Sequence, residues 1–574
     1  MGKHFHLSKV FEPFIGGKRD FEVQEVEFES ETQDSNGAPV ENNNPLGYNL
    51  DYVTAFYMVI QGIIGTGIFA TPGSIVQSIG SIGASYVLWV VGFLIALFEI
   101  FVYIEFVTYF QRRSGGDVAY LEQAYPKPDF LVPTTYAAVS VLLSFLNSSA
   151  IAFGTYILSA ADIEATTWRQ RGIGCGILAF VCLLSSINTR TTLRLSNILG
   201  SIKVIILAFI IITGFVTLAG GTRIANPTSI FRNAWEGTTK DGNAISNAII
   251  KVSFSYGGTQ YVFGVVGKSK PKHTKNMFRF FIPSVVFFIF ILYVLIITSY
   301  YAGSNGLENI KSSNTLIASL FFSNVFNSVP ARKALVVLVA LSALGHLLSA
   351  VVGHSRALRE CGRQGVLPYS SLWTTTRPWS IFATWLVNII VMIAPPAGDA
   401  YNFIVDVGAY SGYIFKLLLV IGLLLVRRHR KAAGLGFEGW KDPLPILVVT
   451  ILFEVFVITM AWVPASSGTL IGSDVSFFYC TYAIVCVGIL GICVLYYYIW
   501  AKVLPKFGNY EHRILYYSLD CGELGHSVVK VKKDDLQKWD TEHDSNGRPI
   551  FAADGCVEEV VETESISHLS DKFM

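Results

Sequence analysis

Two stretches of this 574-residue sequence decide its fold: YMVIQGIIGTGIF at residues 57–69 and KVSFSYGGTQY at residues 251–261. Each places paired glycines near the middle of a segment long enough to cross a bilayer. Because glycine weakens a helix by about 1 kcal/mol relative to alanine, each segment is predicted to unwind there. Unwound backbone at membrane depth is tolerated only where it is buried in protein or lines a cavity. The pair therefore predicts two broken helices around an internal site.

Composition places the chain among integral membrane proteins. Hydrophobic residues make up 52% of the sequence and charged residues 15%, and the mean hydropathy is +0.49. A soluble domain carries roughly 25% charged residues, so a disordered chain, a fibre and a conventional cytosolic enzyme are excluded. None of the eight cysteines has C-x-x-C spacing, so we expect no zinc site and no disulfide framework. No cofactor and no other metal are expected.

The chain is predicted to be an all-α membrane protein with about twelve transmembrane helices between residues 51 and 503. Residues 1–50 are expected to form a disordered acidic tail and residues 504–574 a second polar tail. The loops on the side of the two tails hold nineteen Lys and Arg residues against eight on the other side, which predicts that both termini are cytoplasmic. The predicted spans are 52–77, 82–110, 133–160, 172–188, 195–219, 244–266, 280–302, 333–357, 380–395, 400–426, 444–464 and 476–503.

The two broken helices are the first and sixth spans, which is typical of a transporter built from inverted repeats of five helices each. The repeats would be residues 51–219 and 244–426, and the two remaining helices lie within 444–503. For either glycine-rich segment alone, small residues that merely permit close helix packing are an equal alternative. The occurrence of both favours the transporter.

Main-chain groups at the two breaks form the predicted substrate site. The N–H groups of Thr66, Gly67 and Ile68 begin a half-helix whose positive dipole end suits a carboxylate. Unpaired carbonyls at the ends of the opposing half-helices suit an ammonium, so the site fits a zwitterionic α-amino acid. No charged side chain lies in either break, which favours neutral substrates. The assigned residues are Ile63, Ile64, Gly65, Thr66, Gly67, Ile68, Phe254, Ser255, Tyr256, Gly257 and Gly258. The carbonyls of Ile63, Ile64, Phe254 and Ser255 are the predicted acceptors for the ammonium.

Polar residues in other spans are further candidates. Asn147 and Ser342 are assigned to the substrate pocket, although Asn147 could equally hydrogen-bond between helices. Lys203 lies in the fifth span, where a buried charge costs about 2.5–3.5 kcal/mol on insertion scales and indicates a function. Its alternative is snorkelling to the headgroups. His346 is interpreted as a packing residue, and Glu99 has no predicted partner.

Several motifs, in their order and spacing, resemble the L-type branch of the amino acid–polyamine–organocation superfamily. They are GTGIF at 65–69, SGGD at 114–117, FSYGG at 254–258 and RQGVLP at 363–368. Four more stretches are similar to those of the fungal high-affinity methionine permeases: WRQRGIG at 168–174, FRNAWEG at 231–237, LSALG at 341–345 and APPAGDAY at 394–401. Tyr-Gly-Gly at the second break departs from the methionine permease pattern, which leaves the exact substrate open.

The resemblance implies a LeuT-type fold and secondary active uptake of neutral L-amino acids at the plasma membrane, with methionine the first candidate. It also implies proton symport by alternating access, with Lys203 in the coupling role because it matches the helix 5 lysine of sodium-independent relatives. The predicted outer loop 161–171 has no cysteine, so no disulfide-linked accessory subunit is expected. Neither an enzyme activity nor a nucleic-acid partner is expected. A sensor of the same fold with little transport is the alternative. Lys3, Lys9 and Lys18 are candidate ubiquitin acceptors for a ligase adaptor.

Overall fold

The computed structural model describes the membrane core and the first part of the C-terminal tail. Lys3, Lys9 and Lys18, and with them the whole predicted N-terminal tail, lie outside the described residues. The described residues are 52–110, 116–143, 146–224, 226–264, 266, 275–313, 317–326, 329–363, 365–367, 373, 377–393, 400–432, 434, 439–464, 471, 476, 478–518 and 524–543.

Within these ranges, twelve helical spans, labelled α1 to α12, occupy the predicted positions. Nine of them in the described ranges are long and apolar enough to cross a membrane, which confirms the predicted all-helical membrane core. The first five spans are α1a Tyr52–Ile63 and α1b Gly67–Ile79, α2 Ile82–Tyr109, α3a Leu131–Leu142 and α3b Asn147–Ala160, α4 Thr167–Ile187 and α5 Thr189–Leu218. The next five are α6a Gly242–Tyr256 and α6b Gln260–Phe263, α7 Ile282–Ala302, α8 Val329–Arg363, α9 Arg377–Ile393 and α10 Ala400–Ala432.

Two further helices complete the bundle. They are α11 Leu444–Met460 and α12 Thr481–Tyr498, and α12 continues through a π-helical turn, Ile499–Val503, to Leu504–Gly508. Another π-helical turn, Met277–Phe281, precedes α7. Short helices outside the spans are Asp117–Ala124, Ser229–Phe231, Leu307–Ser313 and Ile317–Val325.

The helices pack around two hydrophobic cores. The larger core joins α1, α2, α6 and α7 with α10, α11 and α12, and Trp89 and Tyr293 are among its fully buried side chains. The second core joins α3b, α4, α8 and α9, with Leu199 of α5 and Ala70 of α1b at its edge. Both broken helices belong mainly to the first core and face the second, so the breaks lie where the two groups of helices meet.

The C-terminal tail contains a folded element that sequence analysis missed. Strands β1 Tyr510–Ser518 and β2 Leu524–Lys532 form an antiparallel hairpin, and a helix, Leu536–Glu542, follows it. Arg513 of β1 pairs with Asp540 of that helix at 3.0 Å, and the rings of His512 and Trp500 stack 4.3 Å apart. Alternating apolar and polar residues such as SVVKVK at 527–532 are the strand signal that was available in the sequence.

Candidate functional site

The breaks in α1 and α6 lie directly against each other. Residues 64–66 separate α1a from α1b, and residues 257–259 separate α6a from α6b, which confirms both predicted interruptions. Gly258 has a φ of +115°, and a Cβ atom there would lie 2.3 Å from the Gly62 carbonyl oxygen. Only glycine fits that backbone conformation at that distance. The paired glycines therefore have two effects. They end the helices, and they allow the unwound backbones of α1 and α6 to come into contact.

The start of α1b lies where the sequence predicts an anion-binding end. Because α1b begins at Gly67, the N–H groups of Gly67 and Ile68 have no acceptor within the helix, whereas those of Phe69 and Ala70 donate to the Thr66 carbonyl at 3.2 and 2.8 Å. Gly67 itself is in close contact with α6a, since a Cβ atom there would lie 2.7 Å from the Ser255 Cα atom. Thr71 of α1b and Ser255 also share a hydroxyl hydrogen bond of 2.9 Å. The first turn of α1b is thus held at a fixed position beside the end of α6a.

The carbonyls at the ends of α1a and α6a already accept hydrogen bonds from the protein. The Tyr293 hydroxyl of α7 lies 3.1 Å from the Ile63 carbonyl oxygen and 2.9 Å from that of Ser255, bridging the two half-helices. Ile63 also accepts from the Gly65 N–H at 2.8 Å, and Phe254 accepts from the Gly257 N–H at 3.2 Å. Since a carbonyl oxygen accepts two hydrogen bonds, an ammonium at Ile63 would have to displace Tyr293 or Gly65.

Lys203 of α5 is fully buried beside the break in α1. Its Nζ atom donates to the Gln61 side-chain oxygen at 2.7 Å and to the Ile64 carbonyl. Gln61 in turn donates to the Ser196 carbonyl of α5. The amine therefore does not snorkel to the membrane surface. It binds the unwound backbone of α1 and ties that backbone to α5.

A cavity of about 360 Å³ opens beside the two breaks. It extends from them toward the end of the bundle where α2 ends and α3 begins, reaching Asp117 and Lys416. At the breaks its walls are main-chain groups, apolar side chains and small polar groups. The residues that line this part include Gly62, Ile63, Gly65, Thr66, Gly67, Ser148, Ser253, Phe254, Gly257, Gly258, His346, Ile404 and Val405.

The structure separates the predicted site residues into two sets. Seven of them line the cavity, namely Ile63, Gly65, Thr66, Gly67, Phe254, Gly257 and Gly258. The other seven are buried outside its lining: Ile64, Ile68, Asn147, Lys203, Ser255, Tyr256 and Ser342. The Tyr256 ring packs on the rings of Trp89 and Tyr293, at centroid distances of 5.8 and 5.2 Å. It therefore lies in the hydrophobic core beside the break and not in the cavity.

His346 of α8 is a site residue that the sequence analysis set aside. It lines the cavity, and its Nδ1 atom lies 2.8 Å from the Ser149 hydroxyl of α3b. Its ring also packs against the first break, because a Cβ atom on Gly65 would lie 2.9 Å from its Cδ2 atom. A lone histidine in an apolar helix carries no spacing signal. Only the packing of α8 against α1 and α3 reveals this position.

Charged side chains occupy the far end of the cavity. Lys416 of α10 pairs with Glu99 of α2 at 2.7 Å, which supplies the partner that the sequence did not identify. Asp117 accepts hydrogen bonds from the hydroxyls of Tyr103 at 2.5 Å and Tyr136 at 3.1 Å. These groups lie apart from the breaks, where the lining residues named above include no carboxylate, ammonium or guanidinium group. The geometry at the breaks therefore suits a small dipolar molecule with an uncharged side chain.

No cluster of three or more His, Cys, Asp or Glu side chains suited to a metal ion occurs in the described ranges. The six cysteines described there form no disulfide with one another, and five of them lie within helices.

Comparison with known proteins agrees with this architecture. The family model described as "Amino acid permease" matches residues 50–499, which is most of the chain. The high-affinity methionine permease of Saccharomyces cerevisiae is 32% identical over 90% of this chain and 88% of its own length. The low-affinity methionine permease of the same yeast is 24% identical over 81% of this chain and 85% of its own. The human b(0,+)-type amino acid transporter 1 is 25% identical over 71% of this chain and 81% of its own length.

These matches confirm the predicted superfamily and the predicted similarity to its L-type branch. They also confirm the LeuT-type fold class and the prediction that the protein is a transporter rather than an enzyme. The family model covers the core and ends at residue 499, before the C-terminal hairpin. The chain belongs to the amino acid permease family and is a multi-pass membrane transporter of amino acids.

Proposed function

We propose that this permease imports neutral L-amino acids across the plasma membrane, methionine first among them, by proton symport with alternating access. The observation that carries the proposal is the contact between the two breaks, with the first turn of α1b and the end of α6a held beside one cavity. Such an arrangement binds both ends of an amino acid without any charged side chain. Both yeast relatives named above are methionine permeases, which supports methionine as the substrate.

The lining of the cavity also supports an uncharged substrate side chain. Phe254 of α6a, with Ile404 and Val405 of α10, supplies an apolar wall close to the breaks. An unbranched thioether is flexible and polarisable, so it fills an irregular apolar pocket and contacts aromatic rings favourably. A cationic side chain would find no carboxylate until it reached Glu99 and Asp117, and Glu99 is already paired with Lys416.

Lys203 supplies the coupling in this proposal. Its ammonium bridges α5 and the unwound part of α1, so loss of its proton would weaken the hold on the Ile64 carbonyl. One proton crossing 100 mV provides about 2.3 kcal/mol, enough for roughly 50-fold accumulation. We also propose that both termini are cytoplasmic, because of the Lys and Arg asymmetry between the loops. The domain division into two repeats, two extra helices and two tails remains part of the same proposal.

Uptake of labelled methionine into cells that lack their own permeases tests this function. We expect saturable accumulation that a protonophore abolishes, and competition by neutral amino acids rather than by lysine or arginine. Lys203→Ala is expected to abolish accumulation while the protein still reaches the plasma membrane, and Lys311→Ala, at an exposed ion pair with Glu308, is the control. Saturable binding without accumulation would indicate a sensor instead. Strongest competition by lysine or arginine would contradict the neutral substrate.

A further inference from the structure

A buried ionic cluster lies at the end of the cavity away from the two breaks, and neither the substrate site nor Lys203 accounts for it. Lys416 of α10 stands among three carboxyl groups: Glu99 of α2, Glu454 of α11 and Asp117 of the short helix after α2. Glu99, Asp117 and Lys416 line the cavity, whereas Glu454 lies behind them and is fully buried. Three carboxylates around one ammonium would leave two uncompensated negative charges in a region of low dielectric, which is strongly unfavourable.

The three carboxyl groups differ in their partners. Asp117 accepts hydrogen bonds from two tyrosine hydroxyls, and Glu99 is bound by the Lys416 ammonium at 2.7 Å. Among the residues that the structure describes, neither Glu454 oxygen accepts a hydrogen bond from any donor. The Glu454 carboxyl instead lies in contact with Glu99. Two carboxyl groups in contact are stabilised when one of them carries a proton and donates it to the other.

We propose that Glu99 and Glu454 hold one exchangeable proton between them and form a proton-binding site of this permease, with Lys416 as the counterion. The site is loaded from the cavity: a solvated proton forms an O–H bond with one carboxylate of the pair. It leaves by the reverse step when the bundle opens to the other side. The inference rests on the proposed proton symport. It adds Glu99, Glu454 and Lys416 to Lys203 as residues that take part in proton coupling.

The surroundings are consistent with a site that loads and unloads. Tyr413 of α10 lies beside both Glu99 and Glu454, and Tyr103 and Tyr136 face Asp117. Helix α6a, which packs against α10 and α11, carries one buried cation, Lys251. The pair thus joins α2 of the first core to α11 through α10, while Lys416 and Glu99 border the space that the substrate would enter. A change of charge here alters contacts among three helices beside the cavity.

Reconstituted liposomes that enclose a pH-sensitive dye test this site. Addition of methionine to wild-type protein is expected to cause inward proton flux in a fixed ratio to labelled methionine uptake. Glu454→Gln keeps the shape of the side chain but removes the exchangeable proton. We expect its methionine-driven proton flux to fall to the leak of empty liposomes. The dependence of methionine exchange on external pH is expected to flatten, and Glu454→Asp is expected to restore part of both.

Control variants and a folding assay show whether a loss of proton flux in Glu454→Gln comes from misfolding or from removal of the proton site. Thermal stabilisation of Glu454→Gln by methionine shows that the variant is folded, and Glu99→Gln provides a second variant if it is not. Glu308→Gln, at an exposed ion pair, is expected to behave as wild type. An unchanged ratio of protons to methionine in either variant would overturn the proton site and leave symport intact. Wild-type uptake without any proton flux would overturn symport, and the proton site with it.

Discussion

At Gly258 the main chain takes a conformation and a position that no other residue fits. Its φ of +115° is unfavourable for any side chain, and the Gly62 carbonyl occupies the space that a Cβ atom would need. Around this contact, Tyr293 binds the carbonyls of Ile63 and Ser255, and Lys203 binds that of Ile64. Three kinds of contact therefore hold the unwound backbone at the breaks: the contact between Gly258 and Gly62, the hydrogen bonds from the Tyr293 hydroxyl, and those from the Lys203 amine.

Substitution of Gly258 tests the importance of that contact. Gly258→Ala places a methyl group 2.3 Å from the Gly62 oxygen, so the two breaks must separate. We expect methionine uptake per molecule at the cell surface to fall at least about tenfold, because misplaced binding groups lose their alignment with the substrate. Gly306→Ala is the matched control, since Gly306 also has a positive φ, of +129°, but no atom lies near its Cβ position. Equal uptake by the two variants would show that the contact does not matter.

Sequence patterns predicted the main-chain part of this site but not its side chains. The glycine pairs at 57–69 and 251–261 mark where helices must end, and that signal is local. Tyr293 contacts Ile63, 230 positions away in the chain, and His346 contacts Ser149, 197 positions away. Each looks like an ordinary residue of an apolar helix. Predicting either one requires knowing which helix faces are adjacent, which hydropathy does not provide.

At the scale of helices and loops, Asp442 links the end of α10 to the start of α11 and to α2. Its N–H donates to Glu105 at 2.7 Å, and its carbonyl accepts from Arg427 at 2.6 Å. Arg427 also binds both oxygens of Glu105. Burial, together with the charge of Glu105, raises the pKa of the Asp442 carboxyl to about 7 from its usual value near 3.8, although Arg427 opposes the shift.

The sign of this shift predicts how stability responds to pH at Asp442. The folded protein binds the proton of the Asp442 carboxyl more tightly than the unfolded chain does. The protonated carboxyl therefore contributes its full stabilisation of the folded state below pH 4, and this contribution is lost as the pH rises to 7. Asp442→Asn removes the buried charge. We expect it to raise the free energy of unfolding at pH 8 by on the order of 1 to 2 kcal/mol relative to wild type, with little difference at pH 4. Thermal unfolding of detergent-solubilised protein, followed by tryptophan fluorescence, measures this.

An exposed carboxyl provides the control for that measurement. Hydrogen bonding to Lys333, with the charge of Arg332, lowers the pKa of Asp162. Asp162→Asn is therefore expected to give no gain in stability at pH 8. A gain for Asp162→Asn equal to that for Asp442→Asn, or no gain for Asp442→Asn, would contradict the assigned cause.

The helical spans were predictable to within a few residues because long apolar segments in a bilayer allow few alternatives. Differences arise at the ends: α4 begins at Thr167 rather than 172, and α12 continues to Gly508 rather than 503. The hairpin of β1 and β2 was missed because a polar segment after the last span was interpreted as a tail. Its two nine-residue strands contain several charged and polar residues, so they differ little from a tail in composition.

At the scale of the whole molecule, the two hydrophobic cores meet at the breaks, and the cavity runs from that junction to the cluster of Glu99, Asp117 and Lys416. The groups proposed to bind the substrate and the ionisable groups therefore line one cavity. In the proposed symport, protonation at one end of this cavity would be coupled to amino acid binding at the other.

An experimental structure of the full-length protein with methionine bound tests most directly whether main-chain groups at the breaks hold both ends of the substrate. We predict the carboxylate within hydrogen-bonding distance of the N–H groups of Thr66, Gly67 and Ile68, and the ammonium against carbonyls at the ends of α1a and α6a. The thioether is expected to lie toward Phe254. Methionine bound elsewhere in the cavity, with neither end in contact with a break, would contradict this arrangement.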